Sequence, residues 1–119
     1  MAYIINLTTF SDDRGSLSVV EKILPFEIKR VYFIYDVLGE RGGHKHKKTT
    51  QALIMLNGSC EVFVRNRNED KRFVLDASSK CLILEPDDWH TMDFFTDNST
   101  LLVLASEYYD KNDYIWEIN

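Results

Sequence analysis

Basic side chains, cysteines and long apolar runs are all scarce in this 119-residue chain, and each shortage closes off a class of function. Lys and Arg number 14 against 19 Asp and Glu, a net charge of −5. Binding along a nucleic-acid backbone needs a basic face, so nucleic acid is not expected as a partner. A small phosphorylated ligand stays compatible, because a local group of arginines can hold it inside an acidic protein. The one dense basic stretch, residues 41–48, coincides with a pair of histidines. The only cysteines, Cys60 and Cys81, lie in apolar alternating runs without Cys-x-x-Cys spacing. They read as small buried thiols in a reducing compartment rather than as a disulfide. Apolar runs such as 101–105 are far too short to span a bilayer. Asp12, Asp13 and Arg14 interrupt any apolar N-terminal region, so no signal peptide is expected. Together these absences predict a soluble, cytoplasmic protein with no membrane partner. A Gly-rich dinucleotide fingerprint is missing as well, so no redox cofactor is expected. No linker, repeat or low-complexity segment divides the chain, and residues 1–119 are expected to form one domain.

What is present is globular in character: 45% hydrophobic and 28% charged residues. The aromatic share, 13%, supplies either large core fillers or flat surfaces for a ring-shaped ligand. Few segments carry helical periodicity. Short β-branched and aromatic runs recur between turn signals, and they predict strands at 3–7, 17–21, 29–37, 43–47, 51–57, 60–66, 71–75, 80–84, 91–95, 101–106 and 114–117. Asn57-Gly58 between two alternating runs predicts a hairpin, because both residues tolerate positive φ. Residues 66–70 read as a polar loop, and Glu85-Pro86-Asp87-Asp88 as a turn in which Pro fixes φ. Many short strands without crossover helices predict an all-β sandwich or barrel.

The three histidines fall in two segments, Gly42-Gly43-His44-Lys45-His46-Lys47-Lys48 and Pro86-Asp87-Asp88-Trp89-His90. In a strand, side chains two apart share a face, so His44 and His46 point together and Lys45 points away. Such a pair serves metal binding or proton transfer, although a His-x-His on a solvated strand has neither role. The downstream spacing is informative, with Gln51 and then Gly58 following His46. This resembles the first cupin motif, and Pro86 to His90 resembles the second, which together imply a jelly-roll β-barrel that converges His44, His46, Gln51 and His90. The chain departs from that pattern at three places. Gln51 stands where an acidic ligand is usual, Asp88 replaces a glycine, and Phe94 replaces an asparagine after the third histidine. A neutral amide binds a divalent cation less well than a carboxylate does.

A closer resemblance follows from the order of several segments: Arg14-Gly15, Ile28-Lys29-Arg30-Val31-Tyr32, Arg41 through Lys47 with Gln51, Pro86 with Trp89-His90, the 101–106 run, Tyr109-Asp110 and Asp113-Tyr114-Ile115. Over most of its length the chain is similar to the sugar-nucleotide 3,4-ketoisomerases. The resemblance implies a metal-free cupin acting on a dTDP-linked 4-keto-6-deoxy sugar, as a homodimer that exchanges strands between subunits. It implies that His44 and His46 transfer protons with help from Tyr32. It further implies that Arg41 and Arg14 approach the diphosphate, and that Gln51 and His90 line the same cavity. The product would pass to an aminotransferase that makes a 3-amino-3,6-dideoxy sugar, for a lipopolysaccharide or S-layer glycan.

The chemistry is sound without the resemblance. The hydrogen on C3 of a 4-keto sugar lies beside a carbonyl, so its removal gives an enediolate, and protonation at C4 completes the ketone shift. An unperturbed histidine titrates near ~6.5 and offers a neutral base at pH 7. A planar, permanently charged guanidinium suits a diphosphate. Alternation in 30–35 puts Arg30, Tyr32 and Ile34 on one face and Val31, Phe33 and Tyr35 on the other, and a core tyrosine is the simpler reading of Tyr32. Trp89 and Phe94 read as packing, and Glu61 and Asp93 as solvated charges. Three alternatives stay open. One is a metal-dependent cupin, a dioxygenase or epimerase-like enzyme with His44, His46, Gln51 and His90 as ligands. Another is a sugar-nucleotide 3,5-epimerase, whose His–Asp partnership is not evident in the sequence. The third is a non-catalytic cupin that binds a small ligand.

Overall fold

The computed structural model describes residues 1–118 and contains twelve strands, with no α-helix among the described residues. In chain order these are β1 (Tyr3–Asn6), β2 (Thr8–Asp12), β3 (Gly15–Val19), β4 (Arg30–Tyr35), β5 (Arg41–His46) and β6 (Gln51–Asn57). There follow β7 (Cys60–Asn66), β8 (Glu69–Leu75), β9 (Lys80–Leu84), β10 (Trp89–Asp93), β11 (Thr100–Ala105) and, after a 3₁₀ turn at Lys111–Asp113, β12 (Tyr114–Ile115). One five-stranded sheet runs β1-β9-β6-β11-β4 and the other β12-β5-β10-β7-β8, with β2 and β3 as a separate hairpin. All pairings are antiparallel. Two facing antiparallel sheets of this kind make a jelly roll.

The first sheet is covered on both faces, which is why β6 reads as an unbroken apolar run rather than an alternating one. Leu53 and Met55 point between the sheets, where they meet Val62, Val64, Leu75, Leu82, Leu84, Leu101 and Val103. Ala52 and Ile54 point outward into a second cluster with Leu7, Cys81, Ile83 and Leu104, sealed by Val20, Leu24 and Phe26. Cys60 and Cys81 are free and buried, as their apolar settings predict.

Several expectations need correction. The Asn57-Gly58 turn is not a hairpin, because β6 and β7 belong to different sheets and the chain turns a corner of the sandwich there. Gly58 alone takes positive φ, at 79°. A Cβ on it would lie 2.5 Å from Thr96 Oγ1 and 2.7 Å from Ser99 Cβ, so the packed 96–99 loop also demands glycine. The residues read as a loop at 66–70 instead form the tight β7–β8 hairpin, with Asn66 opposite Glu69 and Arg67 at φ 59°. β2 was not expected, because its polar, exposed sequence Thr-Thr-Phe-Ser-Asp carries no buried face. Phe94 is exposed and at φ 55°, just past the end of β10, and is not a packing residue.

Candidate active site

Strand register brings the histidines together. β5 carries His44 and His46 and lies between β10 and β12, with His44 opposite His90 and His46 opposite Tyr114. The ring of His44 sits 5.0 Å from those of His46 and His90 and 4.7 Å from that of Tyr114. His44, His90 and Tyr114 border a cavity of about 470 Å³ between the sheets. His44, His90, Arg41 and Tyr114 line it from one side, and Arg30, Tyr32 and Gln51 from the other.

Arg41 reaches this cavity because β5 is irregular. Simple alternation puts residue 41 on the opposite face from 44. Here His44 pairs with His90 and Gly42 with Thr91, so Gly43 is an extra residue that shifts the phase of the strand. Arg41 then pairs with Met92 and shares a face with His44 and His90. Gly42 sits at φ 87°, and a Cβ on it would lie 2.9 Å from the carbonyl oxygen of His90. The two glycines are therefore required by this bulge and by the close approach of β10.

Burial sets the charge state. It pushes the His44 imidazole down to about 3, with help from the neighbouring His90 and His46. Burial likewise takes His90 to about 4, against the opposing effect of its bond to the Asp88 carbonyl. All three rings are neutral at pH 7, because His46 is also lowered by burial in spite of the carboxylate of Asp113 beside it. Burial raises the Tyr32 phenol above its usual value of 10.0. The Tyr32 oxygen accepts a bond from Gln51 Nε2 at 3.1 Å, and the Arg30 guanidinium lies 4.3 Å from its ring centre.

The sequence-derived site residues divide as follows. His44, His90, Tyr32, Arg41 and Gln51 line one cavity. His46 stands behind them with its side chain 4% exposed. Arg14 is not among the cavity's lining residues. It sits at the exposed tip of the β2–β3 hairpin, paired with Asp12 at 2.6 Å. Three residues were missed. Arg30 is legible from its shared face with Tyr32, although alternation alone assigns it no role. Tyr114 and Asp113 belong to a segment whose sequence carries the family resemblance and no chemical signal of its own, and nothing in the spacing links residue 113 to residue 46. Asp113 Oδ2 lies 2.9 Å from His46 Nδ1. A His–Asp pair, not evident in the sequence, is thus present.

The cupin fold raises the question of a metal. Among the described residues no three His, Cys, Asp or Glu side chains come together as a ligand set. Gln51 turns its amide N–H to Tyr32, and the Asp113 carboxylate is taken up by His46, Thr49 and two backbone amides. The residues present do not fit a metal centre.

A jelly roll with His-x-His and a third histidine converging between its sheets defines a cupin. The FdtA: WxcM-like, C-terminal family matches residues 1–119. The TDP-4-oxo-6-deoxy-alpha-D-glucose-3,4-oxoisomerase of Aneurinibacillus thermoaerophilus is 46% identical over 116 residues, 94% of this chain and 84% of that protein. A 3,4-ketoisomerase from Helicobacter canadensis superposes with a TM-score of 0.92 at 41% identity, over 98% of this chain and 90% of that one. A histidine-to-asparagine mutant of the 3,4-ketoisomerase QdtA from Thermoanaerobacterium thermosaccharolyticum, in complex with TDP-4-keto-6-deoxyglucose, gives 0.93 at 42%, over 98% and 87%. The chain belongs to this family of sugar-nucleotide 3,4-ketoisomerases.

Proposed function

We propose that this protein is a dTDP-4-keto-6-deoxyglucose 3,4-ketoisomerase. The observation that carries the reading is a single cavity in which neutral imidazoles meet a phenol and two arginines. Relatives named for this reaction, one of them holding the keto sugar, support it.

In the reaction, an imidazole of the His44–His46 pair takes the hydrogen on C3 as a proton, and the bonding electrons form an enolate with charge on O4. The proton on O3 passes to O4 through Tyr32 or the second imidazole. The protonated base, whose proton exchanges with solvent while the enediolate persists, then protonates C4, and the ketone is left at C3. C3 has lost one hydrogen, C4 has gained one and one proton has passed between oxygens, with no net redox change. In the free protein His44 is a weak base. The diphosphate and the developing enolate both add negative charge nearby, which favours the imidazolium and strengthens the base as the reaction proceeds. Arg41 and Arg30 hold the diphosphate, and this remote binding energy positions the sugar. The test is conversion of the 4-keto sugar to its 3-keto isomer by chelator-treated protein, with turnover reduced at least ~10²-fold in His44→Asn.

The His46–Asp113 pair gives the 3,5-epimerase reading the partnership it lacked, so the same experiment must locate the carbon that loses its hydrogen. A ligand-binding cupin would bind the sugar nucleotide without turnover. The 3-keto product is the substrate an aminotransferase needs to install a 3-amino group. The buried free thiols fit a cytoplasmic setting.

The active form is a homodimer. Val31, Phe33 and Tyr35 project from the outer face of β4, the edge strand of its sheet, and each is more than half exposed. Phe10 and Leu17 are equally exposed on the β2–β3 hairpin. Apolar surface on an edge strand calls for a partner. Arg14, outside its own protomer's cavity, would meet a diphosphate only across a subunit boundary.

A further inference from the structure

We infer that Asp113 is a positioning residue that fixes the tautomer of His46, so that Nε2 is the only proton-accepting nitrogen of that ring. The inference rests on the isomerase reading for its catalytic meaning but on geometry alone for the tautomer.

Asp113 is held from several sides. Its Oδ1 accepts from the backbone N–H groups of Lys47 (3.1 Å) and Lys48 (2.8 Å). Its Oδ2 accepts from the Thr49 hydroxyl (2.5 Å) and faces His46 Nδ1 (2.9 Å). Burial raises the Asp113 carboxyl, but the bonds from Thr49, Lys48 and His46 outweigh it and keep the group ionised. An ionised carboxylate only accepts, so Nδ1 of the neutral imidazole carries the hydrogen. Nε2 therefore carries the lone pair, and it is buried without any hydrogen-bond partner. An orphaned acceptor inside a histidine cluster is costly unless it has a use in turnover. The same four contacts clasp the segment that leads into β12, so Asp113 also sets Tyr114 beside His44 and His46.

The geometry makes Asp113→Asn a sharp probe. Lys47 N–H and Lys48 N–H can only donate, so they keep the amide oxygen at the Oδ1 position. The new NH₂ must then face His46 Nδ1 and Thr49 Oγ1, both of which can accept. The fold is retained, and His46 is driven to the tautomer with hydrogen on Nε2. In Ser-His-Asp hydrolases the equivalent carboxylate-to-amide change leaves the geometry intact and removes activity through the wrong tautomer.

The experiment is two-bond ¹H–¹⁵N NMR of ¹⁵N-histidine-labelled protein at pH 7, paired with steady-state kinetics on dTDP-4-keto-6-deoxyglucose. We expect His46 protonated on Nδ1 in the native protein and on Nε2 in Asp113→Asn. The kcat of the variant should fall about 10²–10⁴-fold, with KM changed less than about threefold. Thr49→Val, which leaves the carboxylate on His46, should keep the native tautomer and most of kcat. Native His46 protonated on Nε2 would overturn the inference even if Asp113→Asn did not fold. So would a variant with a switched tautomer and undiminished kcat. A native protein with the expected tautomer but no turnover of the sugar would instead uphold the tautomer and overturn the isomerase reading.

Discussion

Tyr32 and Gln51 face each other through one hydrogen bond, and that bond makes the tyrosine more than a core filler. Replacing Tyr32 with Phe removes a proton relay and also leaves the Gln51 amide without its acceptor. We predict a kcat loss of about 10²-fold with little change in KM. A stability loss of about 1–3 kcal/mol, from the unsatisfied buried amide, should accompany it. Kinetics beside urea denaturation of the same variant check both, and full kcat would remove Tyr32 from the mechanism. At this scale the sequence was readable where chemistry is local: strand alternation put His44 and His46 on one face, and the resemblance to the cupin motifs added Gln51 and His90. Asp113 was not readable, because its partner lies 67 residues away and only the docking of β12 on β5 joins them.

The β5 strand does more than display histidines. Its Gly42-Gly43 bulge turns Arg41 into the cavity, so a glycine change there should disturb binding as well as folding. For Gly42→Ala, the positive φ and the approach to the His90 carbonyl predict about 1–3 kcal/mol of destabilisation. The surviving enzyme should show a raised KM from misplacement of Arg41. Urea titration and initial rates measure these, and an unchanged KM would separate the bulge from binding. Most strands were legible because β-branched runs and turn residues are local signals. The corner at Asn57-Gly58 was not, since a tight turn between two apolar runs looks the same whether the next strand pairs beside the first or crosses to the facing sheet. Exposed β2 carried no apolar alternation to read.

On the scale of the whole molecule, buried neutral histidines tie stability to pH. His44 and His90 titrate at about 3 and about 4 when folded, against 6.5 as the unperturbed value. Between pH 6.5 and 4 the unfolded chain therefore binds more protons than the folded one. Their contribution is fully present above 6.5 and is lost as the pH falls. Urea midpoints at pH 7.5, 6 and 5 should decline in that order, and decline less steeply in His90→Asn. A midpoint that holds steady to pH 5 would contradict neutral burial. The exposed β4 face gives a second molecular prediction: Val31→Glu should shift the sedimenting species from dimer to monomer, and a native protein that is already monomeric would remove the dimer.

The central claim is that this cavity moves a hydrogen between C3 and C4, and solvent deuterium reads that directly. Chelator-treated protein is mixed with dTDP-4-keto-6-deoxyglucose in D₂O and followed by proton NMR. The account predicts a 3-keto product deuterated at C4, exchange at C3 of the remaining substrate, and an untouched hydrogen at C5. Exchange confined to C5, or turnover only after a metal is added back, would contradict it.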